Sequence, residues 1–258
     1  MSNRAGQLGF MTARAIQGDG TPESDWLTWL AAQATPRMTS RQLCSDKNRL
    51  VVVAPHPDDE VLACGGLLAL RASRGLPILI VAVTDGEASH GGHCAHQQAK
   101  LGERRLLERR QGLAQLGVEP ACVLRLGVPD GKAASNTQEL IGQLRRVVQP
   151  TDVVVTTWRL DGHPDHEACA NAVRQAGCRH FQAPVWMWHW AKPADPRVPW
   201  ETMVALELTE QTAQLKQRAL AQHRSQLERR SSVLGPVLEA GIVQRAARQN
   251  EYFFVDSY

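Results

Sequence analysis

The sequence predicts an α/β protein with a Rossmann-like, three-layer sandwich, in which helices cover both faces of a mostly parallel central sheet. Short apolar, β-branched runs alternate along the chain with longer segments that carry apolar residues at helical spacing. Such runs are typical of strands buried on both faces, and their alternation with helices indicates βαβ crossovers. Ligands bind such sheets outside the carboxyl ends of the strands, so functional residues are expected where strands end.

The positions of these runs predict the individual elements. Strands are predicted at Leu50–Ala54, Pro77–Val83, Cys122–Leu126, Asp152–Thr157, Val185–Trp190 and, with a weaker pattern, Met203–Leu208. Helices are predicted at Glu60–Ser73, Leu101–Leu116, Thr137–Val148, Asp165–Gln175 and Gln211–Gln222. Residues 1–47 are largely polar, with an amphipathic patch at Trp26–Ala32, and are expected to form a partly helical N-terminal extension before a single domain over residues 48–258.

Composition and charge are those of a globular protein without a nucleic-acid partner. The 258 residues are 43% hydrophobic and 21% charged, and the formal net charge of +3 is spread along the chain rather than clustered. Nothing approaches the apolar stretch of about 20 residues that spans a membrane. The 6 cysteines form no C-x-x-C pair, which is typical of reduced thiols. We therefore expect a cytoplasmic protein without a membrane span; the sequence leaves a homo-oligomer open.

Two segments rich in His and Asp begin where predicted strands end. The segment His56-Pro57-Asp58-Asp59-Glu60 directly follows Leu50–Ala54, and Asp161–Glu167 lies a few residues after Asp152–Thr157. Because both strands are expected in one sheet, the two segments should meet at the same edge of that sheet.

The spacing of these residues predicts a mononuclear metal site. His56 and Asp59 are three residues apart at a helix start, and His166 lies in the first turn of another helix. Two imidazoles and one carboxylate leave positions open for water or substrate, as in catalytic rather than structural sites. Zn²⁺ fits these ligands best, and Fe²⁺ is an alternative.

Neighbouring groups are suited to the remaining catalytic roles. Asp58 adjoins a ligand and is predicted to accept the proton of the attacking water. His163, as an imidazolium, is predicted to stabilise an oxyanion or to protonate a leaving amine, with Asp165 orienting and charging it. Glu60 either supports the site or is a favourable anion near a helix N-terminus.

Pro55-His56-Pro57-Asp58-Asp59-Glu60 resembles the A-H-P-D-D-E motif of the PIG-L/LmbE-like N-deacetylases, with Pro in place of its first Ala, and His163-Pro164-Asp165-His166 matches their H-P-D-H motif. The resemblance covers about Leu50 to Ser225. It implies a metal-dependent enzyme that removes acetyl groups from acetylated amino sugars. In that family the positions of His56, Asp59 and His166 hold the metal, and that of Asp58 is the general base.

Weaker segments of the resemblance imply further site residues. Thr84-Asp85-Gly86-Glu87 is similar to the family's T-x-G-E segment, and Arg105-Leu106-Leu107-Glu108 to its R-x-x-E helix. The latter suggests that Arg105 holds substrate, with a plain surface Arg as the alternative. Gly127–Gly131 resembles a segment whose Asp contacts sugar hydroxyls, which suggests Asp130. Lys216 and His223–Gln226 look like a further family element without an assigned purpose.

The chain also departs from the family pattern. Some relatives carry a Tyr two residues before the first His of H-P-D-H, and Asp161 occupies that position here. We expect Asp161 to hydrogen-bond substrate instead. In the stretch Trp186–Trp190, aromatic faces suited to stacking on sugar rings make Trp188 and His189 candidates for substrate binding. The alternative is a strand with an aromatic core face.

The predicted function is hydrolysis of an N-acetyl group from an acetylated amino sugar or its conjugate, a small-molecule substrate, with release of acetate. Two alternatives stay open: a hydrolase of another acyl amide, such as that of a peptide antibiotic or a thiol conjugate, and a non-catalytic sugar-binding module. The module is disfavoured because it has no need of both Asp58 and His163 beside an open metal site.

Overall fold

The computed structural model describes residues 14, 16, 18, 20–91 and 94–255, so the larger part of residues 1–19 of the predicted extension lies outside the described residues. The described strands are β1 (Leu50–Ala54), β2 (Ile78–Ala82), β3 (Val123–Arg125), β4 (Val153–Thr157), β5 (Arg179–Ala183), β6 (Met203–Glu207) and β7 (Asn250–Val255). The described α-helices are α1 (Glu23–Ala31), α2 (Ser40–Leu43), α3 (Asp59–Ala72), α4 (Ala95–Gln115), α5 (Thr137–Val147), α6 (Pro164–Ala176), α7 (Met187–Trp190), α8 (Glu210–Leu220), α9 (Arg224–Leu227) and α10 (Ala240–Ala246).

All these strands belong to one sheet, in the order β3-β2-β1-β4-β5-β7-β6. Strands β1 to β5 pair in parallel, and β7 is antiparallel to both β5 and β6. The chain runs outward from β1 to β3 and then returns to place β4 on the other side of β1. This reversal is the switch point at which open α/β sheets form a binding crevice.

Two apolar layers explain why the central strands are continuous apolar runs. Successive side chains of a strand point to opposite faces of the sheet. Leu50 and Val52 therefore pack with α3, α4 and α8 on one face, whereas Val51 and Val53 pack with α5 and α6 on the other. Both faces of β1 are buried, so the predicted three-layer α/β sandwich with a mostly parallel sheet is confirmed.

The prediction of a strand at Val185–Trp190 is wrong. The strand in this region is β5, whose polar residues Arg179, His180 and Gln182 conceal it from a search for apolar runs. The Trp residues at every second position of 186–190 imitate a strand, but Met187–Trp190 is the short helix α7. Strand β7 was not predicted.

The other predicted strands and helices are confirmed, with ends within a few residues except at α4, which begins at Ala95. All six cysteines are free thiols, four of them buried. Within the described part of the chain, no helix combines the length and the apolar character needed to cross a membrane.

Candidate active site

The topology brings the two His- and Asp-rich segments together. Strands β1 and β4 are adjacent and parallel, with Val53 opposite Thr156, so their carboxyl ends lie side by side. His56 follows β1 immediately before α3, and His166 lies in the first turn of α6 after β4. The predicted site therefore lies at the switch point of the sheet.

The three predicted metal ligands converge on one small volume. Asp59 Oδ2 lies 3.0 Å from His56 Nδ1 and 3.1 Å from His166 Nε2. One ligand atom from each of the three residues lies within 4.8 Å of the others, and all three side chains are buried. A two-nitrogen, one-carboxylate set at this spacing is suited to one divalent ion.

The second nitrogen of each imidazole faces carboxylates. His166 Nδ1 lies 2.7 Å from Asp161 Oδ2, and His56 Nε2 lies 3.2 Å from Asp130 Oδ1 and 3.3 Å from Asp165 Oδ2. Carboxylates that accept these ring N–H groups direct the lone pairs of the opposite nitrogens towards Asp59.

The lone pairs fit a bound cation. His166 Nε2 is buried and has no hydrogen-bond partner, although it lies beside the Asp59 carboxylate. Two acceptor atoms facing each other in a buried place repel unless a cation or a proton lies between them. The His56, Asp59 and His166 set therefore fits a divalent metal.

Neighbouring carboxylates, rather than burial, decide the direction of the pKa shifts of His166 and His56. Burial lowers the pKa of His166, but the carboxylates of Asp59 and Asp161 outweigh it and raise that pKa to about 9. Burial likewise opposes a charge on His56, whereas its contacts with Asp130, Asp165 and Asp59 raise its pKa well above the ordinary value. A cation that binds these nitrogens must displace protons, so metal affinity rises with pH.

Asp58 has the geometry and the pKa of a general base. It lines the pocket, is 5% exposed and adopts a φ of 134°, a conformation that L-residues rarely occupy and that marks functional strain. Burial raises the pKa of Asp58 to about 7 against the opposing effect of Arg105. A base poised near neutral pH is efficient in proton transfer.

Arg105 lies beside the base, buried, rather than on the surface. It donates to Asp58 Oδ2 (3.1 Å), to Pro57 O (2.8 Å) and to Gly86 O (2.9 Å), and it lines the pocket. A Cβ on Gly86, whose φ is +69°, would lie 2.1 Å from Arg105 Nη1. The glycine of the T-x-G-E segment therefore makes room for the guanidinium, whose hydrogen bonds go to the protein and position Asp58.

His163 lines the pocket, but the prediction of an imidazolium oriented by Asp165 is not supported. Burial, together with the charges of His166 and His56, lowers the pKa of His163 to about 3. Its Nδ1 accepts the backbone N–H of Asp165 at 3.2 Å. We therefore assign a neutral ring that carries its proton on Nε2, the nitrogen not held by the backbone.

The Asp165 carboxylate serves a different neighbour from the one expected. Its Oδ2 accepts from Gly131 N at 2.7 Å and lies 3.3 Å from His56 Nε2, and its Oδ1 accepts from Ala133 N at 3.0 Å. Asp165 therefore fixes the loop after Asp130 and the imidazole of His56, rather than the His163 ring.

Asp130 reaches the pocket as expected. Its Oδ1 lies 3.2 Å from His56 Nε2, and its Oδ2 accepts from Ala88 N at 2.9 Å. Burial raises its pKa, but the contact with His56 outweighs this and lowers it to about 2. Glu87 of the T-x-G-E segment accepts from Asp130 N at 2.9 Å and so positions the loop.

The prediction that Asp161 hydrogen-bonds substrate is wrong in geometry, because its side chain is fully buried and does not line the pocket. Besides His166, its carboxylate accepts from Val185 N (3.0 Å), Trp186 N (3.0 Å) and Met187 N (2.9 Å). Four donors fill the acceptor capacity of one carboxylate. Asp161 therefore links a metal ligand to the start of α7.

Trp188 and His189 do not line the pocket either. Trp188 is 5% exposed and packs in an aromatic cluster against Trp26. His189 is 3% exposed, and its ring lies beneath Gly20. The aromatic residue of this stretch that does line the pocket is Trp186, which was not predicted. The aromatic character of the stretch indicated sugar stacking but could not tell which of its rings faces the pocket.

The pocket has a volume of about 450 Å³. Its lining includes His56, Asp58, Asp59, Arg105, Asp130, His163 and His166. It also includes Gln226 of the His223–Gln226 element and residues that no motif suggested, among them Ile16, Leu62, Trp186 and the segment 236–239. These residues come from parts of the chain distant in sequence, so only the folded structure identifies them.

Two further family segments have structural partners. Glu108 of the R-x-x-E helix accepts from Ser225 N (2.8 Å) and Ser225 Oγ (2.6 Å). Helix α3 breaks at Cys64, and Glu251 accepts from Gly66 N (2.6 Å) and pairs with Lys216 (2.7 Å) at this break. Both contacts are buried and hold helices on which the site rests.

Comparison with known proteins adds an independent finding. Residues 51–177 match the family model PIG-L, described as GlcNAc-PI de-N-acetylase. This range contains the three candidate ligands, Asp58 and both motifs described above. Over this range the chain is similar to the PIG-L family.

Individual curated proteins are moderately similar to this chain. A probable N-acetyl-alpha-D-glucosaminyl L-malate deacetylase of Bacillus subtilis is 29% identical over 201 residues, which are 70% of this chain and 85% of the relative. The diacetylchitobiose deacetylase of Thermococcus kodakarensis is 27% identical over 145 residues, 53% of each chain. This chain thus spans about half the length of the second relative.

A solved structure has the same fold as this chain. The zinc-inhibited form of teicoplanin deacetylase superimposes with a TM-score of 0.59, covering 80% of this chain and 97% of that protein at 16% identity. At this identity the likeness shows the fold alone.

In the candidate active site we predict that Asp161→Asn lowers metal affinity by about 10–100-fold, the usual effect of losing the partner of a ligating His. An Asn amide presents N–H groups to at least one of the donors that Asp161 now accepts. The measurement is competition for Zn²⁺ against a chromophoric chelator.

Asp152→Asn is the matched control, because Asp152 is a buried carboxylate that pairs with Arg49 away from the site. It is expected to change stability without changing Zn²⁺ affinity. Wild-type affinity in folded Asp161→Asn would contradict the role assigned to Asp161.

Proposed function

We propose that this protein is a metal-dependent hydrolase that removes the N-acetyl group of an acetylated amino sugar or its conjugate and releases acetate. The observation that carries the proposal is the convergence of His56, Asp59 and His166 beside Asp58 in one pocket. A binding module needs no strained, buried base next to an open ligand set.

The resident metal is proposed to be Zn²⁺, held by His56, Asp59 and His166, with Fe²⁺ as the alternative for the same ligands. A divalent ion there supplies Lewis acidity to the acetamide carbonyl and lowers the pKa of water. The neutral charge of the two imidazoles leaves a single negative charge in the ligand set, which preserves that acidity.

Asp58 takes the proton of the attacking water. Its carboxylate lies at the pocket surface and is held by Arg105 Nη2 at 3.1 Å, so it is fixed before substrate enters. Water oxygen then bonds to the acetyl carbon, and the carbonyl oxygen of the substrate gains negative charge. The protonated Asp58 can return its proton to the amine when the carbon–nitrogen bond breaks.

His163 is proposed to donate a hydrogen bond to that carbonyl oxygen. Its neutral ring carries the proton on Nε2, because the backbone N–H of Asp165 occupies Nδ1. A donor fixed in this way, aimed at developing negative charge, stabilises the transition state without reorganising. Amine and acetate are the products.

The substrate class is supported by the relatives, whose names give acetylated amino sugars: an N-acetylglucosaminyl L-malate and diacetylchitobiose. A different acyl amide would require the same chemistry, because the proposed steps involve only the amide group and the attacking water. The two substrate classes therefore have to be separated by assay.

We expect the Zn²⁺-loaded protein to release acetate from N-acetylglucosamine glycosides, and removal of the metal by a chelator to abolish release until Zn²⁺ or Fe²⁺ is restored. Acetate release is measured enzymatically, and metal content by elemental analysis. N-acetylated peptides and thiol conjugates form the second arm. A metal-loaded, folded protein that hydrolyses none of these amides would contradict the proposal.

A further inference from the structure

Two residues near the N-terminus, Ile16 and Gly18, line the active-site pocket, and the neighbouring residues Arg14 and Gly20 make specific contacts with other parts of the chain. Arg14 Nη1 pairs with Glu167 Oε1 at 2.7 Å, and the same oxygen accepts the backbone N–H of Gly162 at 3.1 Å. A Cβ on Gly162 would lie 3.1 Å from Arg14 Cβ and Arg14 O. Arg14 therefore packs directly on Gly162, the residue that precedes His163.

A second set of contacts anchors Gly20 and Thr21. A Cβ on Gly20, whose φ is +65°, would lie 2.5 Å from His189 Nδ1, so only glycine permits this close approach. The next residue, Thr21, donates its backbone N–H to His189 O at 2.9 Å and accepts at its carbonyl from Arg245 at 2.7 Å.

Helix α1 extends this anchorage. Trp26 is fully buried and donates its indole N–H to Trp188 O at 2.8 Å. Glu23 pairs through both carboxylate oxygens with Arg248, each at 2.7 Å. Residues 20–26 are therefore fixed both to α7 and to the end of α10.

The anchors place Ile16 and Gly18 in the lining of the active-site pocket. Trp186 lines it too, and its ring lies 5.9 Å from that of His189, on which Gly20 packs. Leu238, also in the lining, belongs to the apolar cluster against which Trp186 packs. Apolar side chains from separate parts of the chain thus share the pocket with the polar catalytic groups.

The charged residues in this part of the pocket do not favour an ionic group of either sign. Arg230 and Glu239 both line it, with opposite formal charges. The lining beyond the catalytic groups is therefore better suited to an apolar group than to an anionic or cationic one.

We propose that Ile16 and Gly18 form part of a wall of the active-site pocket and that Ile16, with Trp186 and Leu238, selects substrates with an apolar aryl or alkyl group attached to the acetylated amino sugar. This inference rests on the proposed function. Ile16 is a specificity-determining residue and takes no part in proton transfer.

The test compares the methyl and phenyl glycosides of N-acetylglucosamine. We expect the Zn²⁺-loaded wild type to prefer the phenyl glycoside by about tenfold in kcat/KM, the usual effect of burying a ring. Ile16→Ser is expected to lower kcat/KM for the phenyl glycoside about fivefold to tenfold and to leave that for the methyl glycoside within about twofold. Removal of residues 1–19 should do the same.

The control is Leu27→Ser, an apolar residue of α1 that is 53% exposed and outside the active-site pocket, and both rates should stay unchanged. An equal loss of both rates in Ile16→Ser, or an unchanged preference for the phenyl glycoside, would contradict the role of Ile16 in selecting substrates. Equal rates on the two glycosides in the wild type would also contradict that role but would leave the proposed deacetylase activity intact. Release from neither glycoside would overturn both proposals.

Discussion

Replacing Asp58 with Asn is expected to lower the rate of acetate release by about 10²–10⁴-fold, the usual contribution of a general base. Asn keeps an oxygen that accepts from Arg105, so the pocket retains its shape, but it cannot take a proton from water. The measurement is kcat for N-acetylglucosamine glycosides together with metal content. Metal content should not change, because Asp58 is not among the converging ligands.

The pH profile gives a second readout of the same residue. The base acts as a carboxylate, so the rate falls as pH falls through its pKa, which burial raises to about 7. A cation at the neighbouring ligands favours the charged carboxylate, so the acid limb is expected at or below pH of about 7. The residual activity of Asp58→Asn should lack this limb.

Asp46→Asn is the control for charge removal alone, since Asp46 pairs with Arg74 on the surface. It should retain the wild-type rate and pH profile. Retention of more than about a tenth of wild-type activity in metal-loaded Asp58→Asn would exclude Asp58 as the base.

The sequence predicted the parts of the site that depend on strand ends. Leu50–Ala54 is recognisable as a doubly buried strand because all five residues are apolar, and His56 and Asp59 follow it directly. Since β1 and β4 pair in parallel, placing His166 after the second strand was sufficient to bring the three ligands together. Local spacing and sheet topology thus carry the same information.

The sequence could not predict which polar groups face the pocket and which support it. Asp161 and Asp165 are as polar as Asp58, but each is fully buried and accepts backbone N–H groups from segments that only folding brings near. Trp188 is buried because it packs in an aromatic cluster against Trp26, which is distant in sequence. Long-range contacts, rather than local pattern, decide these roles.

The contribution of Ile16 and Gly18 to the pocket was equally beyond sequence reasoning. A polar, Gly-containing stretch predicts a peripheral segment, and its composition contains no signal of what it covers. The contacts that fix it are at Gly162, where a Cβ would collide with Arg14, and at Gly20, where a Cβ would collide with His189. Such close approaches can be recognised only when both contacting residues are known.

Replacing His163 with Ala is expected to lower kcat by about 10²–10³-fold, the usual effect of removing one oxyanion donor. Fold and Zn²⁺ affinity should be retained, because His163 caps α6 only through its side-chain Nδ1 and the three converging ligands stay in place. His163→Gln separates two roles, since its amide donates a hydrogen bond but transfers no proton. Partial rescue by Gln identifies the hydrogen bond as the main contribution.

If His163 instead protonates the leaving amine, the defect should shrink on anilides, whose amine needs less assistance, and Gln should not rescue. Full activity of His163→Ala on both kinds of amide would remove His163 from the mechanism and leave Asp58 as the only proton carrier.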